Sequence, residues 1–242
     1  MNIVFSPSTI PSFNLSAEEY LFKKTGENFL FLYKNDPSVI IGSNQAVMNE
    51  VDIDYCIENN ITIIRRMSGG GAVYHDDGNI NYSFIHDKTG APLSAQFLEP
   101  IIEVLHSMEI PVEVGKRKDI WLEGYKISGT ASHVSKGREL HHGTLLYHSD
   151  LMKLQNALTS KQKDITKKAT ASVPSPVINI HTYLFNKNGD VPTISAFLDS
   201  LTGGLLRYFN VLEVVALQDT DIELIEELRR SKYTNREWNY RM

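Results

Sequence analysis

Residues 65 to 86 carry the chemistry of this chain: Arg-Arg-Met-Ser-Gly-Gly-Gly-Ala-Val-Tyr-His-Asp-Asp-Gly-Asn-Ile-Asn-Tyr-Ser-Phe-Ile-His. Two guanidinium groups, a hydroxyl, three consecutive glycines and an imidazole fall within eleven positions, directly after the apolar run Ile61 to Ile64. Glycines free the backbone to take positive φ and approach a ligand closely, and successive amide N–H groups can converge on phosphate or carboxylate oxygens. Side chains alternate along a strand, so Arg66, two positions from Ser68, shares its face while Arg65 does not. A bare Gly-Gly-Gly reads as a hairpin turn. Flanked by Arg-x-Ser and His75-Asp76, it reads as a cradle for an anion.

Two further groups sit downstream. Tyr125-Lys126-Ile127-Ser128-Gly129 puts a lysine on a strand just before Ser-Gly, and the bland alternative is an exposed edge lysine. His141-His142-Gly143 reads as a loop pair of histidines. Metal binding there has little support, because no Cys or carboxylate stands at ligand spacing and adjacent strand side chains diverge. Cys56 falls with Ile53 and Ile57 at i, i+3, i+4 of a helix over residues 50 to 60, where a free thiol packs as a small hydrophobe.

The elements that must hold these groups follow from periodicity and breakers. The chain has 242 residues, 42% of them apolar, with a formal net charge of −5. That is enough to bury a sizeable core, and the acidic balance argues against general nucleic-acid binding. A single cysteine excludes an intramolecular disulfide. No basic-then-apolar leader opens the chain and no apolar run approaches the ~20 residues of a membrane span, so the expectation is a cytoplasmic protein with no membrane or nucleic-acid partner.

Ser16 to Glu19 reads as a capping box opening a helix that runs to about Thr25. Phe29 to Tyr33 and Ser38 to Gly42 read as two strands joined by a tight turn. Strand signals return at Ile61 to Met67 and Asn79 to Ile85, then a helix near Phe97 to Met108 with Pro100 in its first turn. Residues 111 to 149 read as one small antiparallel meander, with strands at Val112 to Gly115, Asp119 to Leu122, Lys126 to His133 and Thr144 to His148. A short helix follows at 150 to 158. Residues 159 to 176 form a long loop, basic over 161 to 168 and then Ser/Thr/Pro-rich, of a length that is usually functional. A helix over 193 to 209 capped by Thr193, a strand at Val211 to Leu217 and a capping box at Thr220 to Glu223 complete the chain. Helices and strands interleave without regular βαβ spacing, which predicts an α+β fold with mostly antiparallel sheet flanked by helices.

Three separated segments, Arg65 to Phe84, Lys118 to Ala131 and His141 to Leu146, resemble in order and spacing the lipoate-protein ligase A family within the biotin/lipoate ligase fold. Asn14-Leu-Ser-Ala-Glu-Glu-Tyr-Leu21 and Glu237-Trp-Asn-Tyr240 resemble it too. The resemblance implies a class II biotin/lipoate ligase-like catalytic domain over residues 1–242. It implies an enzyme that joins lipoate and ATP, with Mg²⁺, into lipoyl-AMP and passes the lipoyl group to a lysine of a lipoyl carrier domain, on a 2-oxoacid dehydrogenase E2 or the glycine cleavage H protein. Residue by residue, it places Lys126 on the acyl carbonyl and α-phosphate. Arg66, Ser68, Gly69, Gly70, Gly71, Ala72, Val73, Tyr74 and His75 become the wall of the acyl and nucleotide site, with Ser128, Gly129 and His142, and Asp119 faces the phosphate or Mg²⁺.

Three departures stand out. Lys118 precedes Asp119 where the family has Asn. Pro174 and Pro176 occupy a loop that often carries Ser-Arg-Val. The family's small C-terminal accessory domain has no counterpart before Met242, which raises a transferase of preformed lipoyl-AMP, or a need for a separate accessory subunit, as alternatives. An octanoyltransferase would need a thiolate at the acyl site, and Cys56 is the only candidate. A non-catalytic lipoate- or adenylate-binding module is the non-enzymatic alternative. The basic loop 161 to 168 is a candidate dock for an acidic carrier domain.

Overall fold

The computed structural model describes residues 1–88, 97–161 and 169–241. Its centre is a pair of long strands, β6 (Asn79–Asp87) and β11 (Arg138–Leu146), paired antiparallel along their whole length from Asn79↔Leu146 to Asp87↔Arg138. They are the middle of a five-stranded sheet ordered β1-β2-β6-β11-β10, with β1 (Asn2–Phe5) parallel to β2 (Phe29–Tyr33) and β10 (Thr130–Ser135) at the far edge. Both strands are buried almost end to end because the sheet is covered on both faces. On one face Ile80, Tyr82, Phe84 and Leu145 pack against Ile101, Leu105, Phe197 and Leu201 of α4 (Glu99–Ser107) and α7 (Ile194–Phe209). On the other, Phe31, Ile85 and Leu140 meet Phe13, Ala17 and Leu21 of α1 (Pro11–Lys23), with Ile225 of α8 (Asp219–Leu228).

Two three-stranded sheets flank the first. β3 (Ser38–Ile41) lies between a parallel β4 (Thr62–Arg65) and an antiparallel β5 (Val73–His75). β7 (Val112–Val114), β8 (Ile120–Leu122) and β9 (Tyr125–Ser128) form the other, all antiparallel. The short helices α2 (Val47–Glu50), α3 (Ile53–Glu58) and α5 (Leu151–Ala157) border the β3–β5 sheet. The chain ends in a π-helical turn, Arg229–Tyr233, and a last turn α9 (Arg236–Asn239). None of the described helices is long and apolar enough to cross a membrane.

The α+β architecture agrees with expectation, and several local readings do not. α1 begins at Pro11, not at Ser16, and Ser16 is buried in its interior, donating to the Ser12 carbonyl at 2.7 Å. Proline at the first helical position costs no hydrogen bond, and it overrides the capping-box signal. β2 and β3 do not form a hairpin: they join different sheets. The expected strand Lys126 to His133 breaks at Gly129, where the chain leaves the β7–β9 sheet for the large one, so 111 to 149 is not one meander. His141 and His142 lie inside β11, not in a loop.

An unforeseen helix, α6 (Ile180–Asn188), follows the long loop. Val211 to Leu217 forms only an isolated bridge, Val4↔Val215, and α8 is capped by a box of Gln218 and Asp221 rather than by Thr220 and Glu223. Ile57 is 70% exposed, so only the Cys56 side of α3 is buried. The basic residues at 163, 167 and 168 lie outside the described residues. Lys161, at the start of that loop, pairs with Asp52 at 2.9 Å.

Candidate active site

The glycine-rich stretch is shaped by a guanidinium from within. Arg66 Nε donates to Ser68 Oγ at 2.9 Å, Nη1 to the Ile40 carbonyl at 3.0 Å, and Nη2 to the carbonyls of Gly69 and Gly71 at 2.5 and 2.7 Å. These bonds nearly exhaust the donors of the group. Arg66 therefore holds the loop in place and lends its positive charge to the site, with most of its donors already taken by the loop.

Gly70 takes φ +86°, and Gly42 is needed beside it, because a Cβ there would stand 2.2 Å from the Gly70 carbonyl oxygen. Arg65 points the other way, as alternation requires. It is fully buried and donates to the carbonyls of Gly42, Gln45, Trp238 and Arg241, while Trp238 Nε1 donates to its own carbonyl. The C-terminal Glu237-Trp-Asn-Tyr motif thus serves as a clasp on β4.

The loop borders a cavity of about 320 Å³. Arg66, Gly70, Gly71 and Ala72 form one side with Val73 and His75 of β5; Lys126, Asp119, Gly129 and Thr130 form another; His142 and Thr144 of β11 close a third. Thr170 to Val173 reach over it. That segment is pinned through Ser172, whose Oγ accepts from the Ala72 amide at 2.9 Å and from Gln45 Nε2 at 3.1 Å. Its continuation fixes the lysine: the Lys126 amide donates to the Pro176 carbonyl at 2.9 Å.

Of the residues expected at the wall, four stand behind it. Ser68, Gly69 and Ser128 are not part of the lining. Ser68 is fully buried beneath the loop, and Ser128 Oγ lies 3.2 Å from Tyr82 Oη. Tyr74 is corrected outright: on β5 it faces away from its neighbours Val73 and His75, into the cluster of Val39, Ile41 and Cys56, because strand alternation cannot bring all three to one side.

Lys126 Nζ lies 3.3 Å from Asp119 Oδ2, and Arg117 approaches the same oxygen at 3.7 Å. Burial pushes the Asp119 carboxyl up, but the Trp121 side chain and Lys126 outweigh that and hold it below the ordinary carboxylate range. Oδ2 is buried and receives no directed hydrogen bond from the described residues. Asp119 is the one carboxylate of the wall among the described residues, the ligand type a hard cation carried on phosphate oxygens takes, and its Oδ2 is shared with Lys126 and Arg117.

His75 is held as a neutral imidazole. Asn14 Nδ2 donates to Asn35 Oδ1 at 2.8 Å, which leaves Asn35 Nδ2 to donate to His75 Nδ1 at 2.9 Å. The proton of the imidazole then sits on Nε2, which is buried and without a partner among the described residues. Burial, with Arg66 and His142 close by, pushes its pKa down to about 3, so the ring stays uncharged near neutrality.

His142 bridges two groups: Nδ1 lies 2.8 Å from Glu18 Oε1 and Nε2 lies 2.7 Å from Ser68 Oγ. Burial raises Glu18, but His142, the Ser83 hydroxyl and Arg66 together hold its carboxyl below the ordinary value. Serine, histidine and carboxylate in this order have the connectivity of a nucleophilic triad. The buried Ser68 oxygen, engaged by Arg66 and screened from the cavity, rules out that use. The chain of bonds instead ties the glycine loop to β11 and α1.

Sequence reasoning missed Glu18, Asn35, Arg117 and Ser172. Glu18 had a signal, the polar Asn14-Leu-Ser-Ala-Glu run inside an otherwise apolar helix face, and Ser172 lies in the long loop that length alone marked. Cys56 is outside the cavity. It is buried on α3, and burial with Asp52 nearby pushes its thiol up to about 11, the opposite of an activated nucleophile.

Comparison with known proteins converges on one group. The family model for the lipoyl protein ligase A/B catalytic domain matches residues 10–203. The chain is 38% identical over 239 residues to the lipoate-protein ligase LplJ of Bacillus subtilis, which covers 95% of this chain and 70% of that one. Its structure is similar to that of a T. acidophilum protein with bound lipoic acid, at a TM-score of 0.82 and 26% identity over 99% of this chain and 98% of that one. A lipoate-protein ligase A bound with ATP matches at a TM-score of 0.82 and 27% identity, again over 99% and 98% of the two chains.

Proposed function

The chain belongs to the lipoyl protein ligase A/B catalytic-domain family and is a ligase enzyme, and on that premise we propose that its cavity joins lipoate to ATP and that the lipoyl group then passes to a carrier lysine. In the first step a lipoate carboxylate oxygen forms a bond to the α-phosphorus of ATP, and the bond to the β-phosphate bridging oxygen breaks, releasing pyrophosphate. In the second, the neutral ε-amine of the carrier lysine bonds to the acyl carbon, AMP leaves with its mixed-anhydride oxygen, and the amine loses a proton.

Two anions must meet in the first step, and their repulsion sets what the protein supplies. The observation that carries the reading is Lys126 at the wall of the cavity that the glycine loop also lines, its Nζ 3.3 Å from Asp119 Oδ2. Lys126 is assigned to the carboxylate and α-phosphate oxygens, where it stabilises the negative charge that gathers there. Arg66 adds charge through a loop it has already organised, and the neutral Nε2–H of His75 offers a donor to an oxygen. Asp119 would hold Mg²⁺ on the phosphate side, where the ion supplies further neutralisation of ATP. The apolar side chains of Leu15, Ile40 and Val73 that line the cavity suit the dithiolane and its tail.

The carriers proposed are lipoyl domains of 2-oxoacid dehydrogenase E2 subunits or the H protein. The test mixes purified protein with an apo lipoyl domain and follows the carrier by intact mass. A mass gain with lipoate plus MgATP supports ligation by this chain. A gain with synthetic lipoyl-AMP alone narrows the chain to the transfer step or to activation with an accessory polypeptide, and no gain with either reagent overturns the proposal. An octanoyltransferase acting through a thioester is opposed by the buried, unactivated Cys56, and a Cys56→Ser variant with unchanged transfer confirms the point.

A further inference from the structure

On the opposite face of the β6–β11 ladder from the cavity, three buried side chains converge, each with an atom that makes no hydrogen bond among the described residues. His86 and Glu139 are a directly opposed register pair, and His141 stands two residues beyond Glu139 on the same face. His86 and His141 are each 8% exposed and Glu139 is 1% exposed. Their ligand atoms all lie within 4.8 Å of one another, with Glu139 Oε2 3.6 Å from His141 Nε2. His86 Nε2, His141 Nε2 and Glu139 Oε1 have no hydrogen bond among the described residues. Leaving even one such atom buried and unpaired costs about 1–3 kcal/mol, so three residues grouped this closely, each with such an atom, call for a common occupant.

The outer atoms of the rings are tied down. His86 Nδ1 lies 2.8 Å from the Asp87 carbonyl, to which it can only donate, so in the neutral ring the lone pair is on Nε2. His141 Nδ1 lies 2.8 Å from Ser132 Oγ, which can accept its proton in the same way. Phe97 stacks on both imidazoles, with centroids 3.5 Å from His141 and 4.6 Å from His86, and holds the two ring planes. Neutral imidazoles oriented through Nδ1 by a carbonyl or hydroxyl, plus one carboxylate, are the donor set and outer support of a metal site.

We propose that His86, Glu139 and His141 form a binding site for a divalent transition metal, with Zn²⁺ as its ion and one coordination position left for water. Two imidazole nitrogens disfavour Mg²⁺ and Ca²⁺, which take oxygen ligands. Bonds of about 2.0–2.1 Å to a tetrahedral ion put ligand atoms roughly 3.4 Å apart, so the present spacing closes by side-chain rotation. Of the three ligands, His141 borders a cavity of about 300 Å³ together with Phe97 and Ser132. The expectation that no carboxylate stands at ligand spacing from the histidine pair is corrected: Glu139 lies two residues before His141 on the same strand face, and only His86 arrives across the ladder. The metal staples β6 to β11 one residue before His142.

The test uses the full chain stripped with a chelator. Zn²⁺ is titrated by calorimetry, Co²⁺ is followed by its visible absorption, and Mg²⁺ is the control. One equivalent of Zn²⁺ is expected to bind and raise the Tm, Co²⁺ to give the intense bands of a four-coordinate site, and Mg²⁺ to do neither. His86→Asn keeps a donor for the Asp87 carbonyl but removes Nε2, and with Glu139→Gln it should weaken binding by about 100-fold or more. Ser132→Ala leaves all three ligands in place, so it keeps the proposal testable if the other variants do not fold, and should weaken binding about 10-fold. No saturable one-equivalent binding, or Zn²⁺ binding unchanged in these variants and hence held by other histidines, overturns the site.

Discussion

His142 Nδ1 and Glu18 Oε1 stand 2.8 Å apart across 124 residues of sequence, joining the middle of the central sheet to the first helix. The carboxylate is held below its ordinary pKa despite its burial, so the ionised form is the one the fold stabilises. A depressed carboxyl contributes stability above its unfolded pKa of about 4.5, and that contribution is lost as pH falls through the folded value. Glu18→Gln keeps an acceptor for His142 but cannot titrate. Its stability, measured by urea unfolding, should fall less steeply below pH 4.5 than that of the wild type. Glu18→Ala leaves a buried imidazole N–H unpaired and should cost about 1–3 kcal/mol at neutral pH.

His75 gives a second, separable pH window. Its folded pKa of about 3 lies below the ordinary 6.5, so between these values the unfolded chain binds a proton that the folded chain does not. Stability should therefore decline as pH drops from 6.5 towards 3, with His75 contributing about 1.4 kcal/mol per pH unit. His75→Asn, which still accepts from Asn35, should remove one proton from the slope. An unchanged slope would show that the ring is free to charge in the folded state.

Lys126→Ala should reduce lipoate-dependent pyrophosphate release by about 100-fold or more, the scale of losing one charge-stabilising donor. Its side chain is 21% exposed at the cavity, so the fold should persist, as circular dichroism can check. Adenylation at the wild-type rate in a folded variant removes Lys126 from the mechanism.

Two glycines test the close approaches that frame the cavity. A Cβ on Gly143 would stand 2.3 Å from Tyr82 Oη. Gly143→Ala should cost about 1–3 kcal/mol, and adding Tyr82→Leu should recover part of it. Gly42→Ala meets the Gly70 backbone instead, so no second side-chain change relieves it. Its mark should be a raised KM for lipoate or ATP as the loop shifts. Equal recovery of both variants by Tyr82→Leu would contradict this division.

The types of the reacting groups, the α+β class and most element positions were legible in the sequence, because periodicity, proline and glycine act locally. Arg66-x-Ser68 on one face, the buried Cys56 and the Thr193 cap all follow from side-chain geometry within a few residues. What the groups do was decided by contacts between distant segments. Arg66, expected as part of the site wall, is also the scaffold of the loop, because the Ile40 carbonyl and the loop's own carbonyls take its donors. Tyr74 left the site because β5 pairs with β3 in a register that points it into another core. Glu18 and Ser172 entered from helix α1 and the long loop, and His86 met Glu139 only through the β6–β11 ladder. Local sequence sets which conformation a segment prefers. Which partner satisfies a buried charge or polar atom is set by register and packing between strands far apart in the chain, and only the folded structure contains that information.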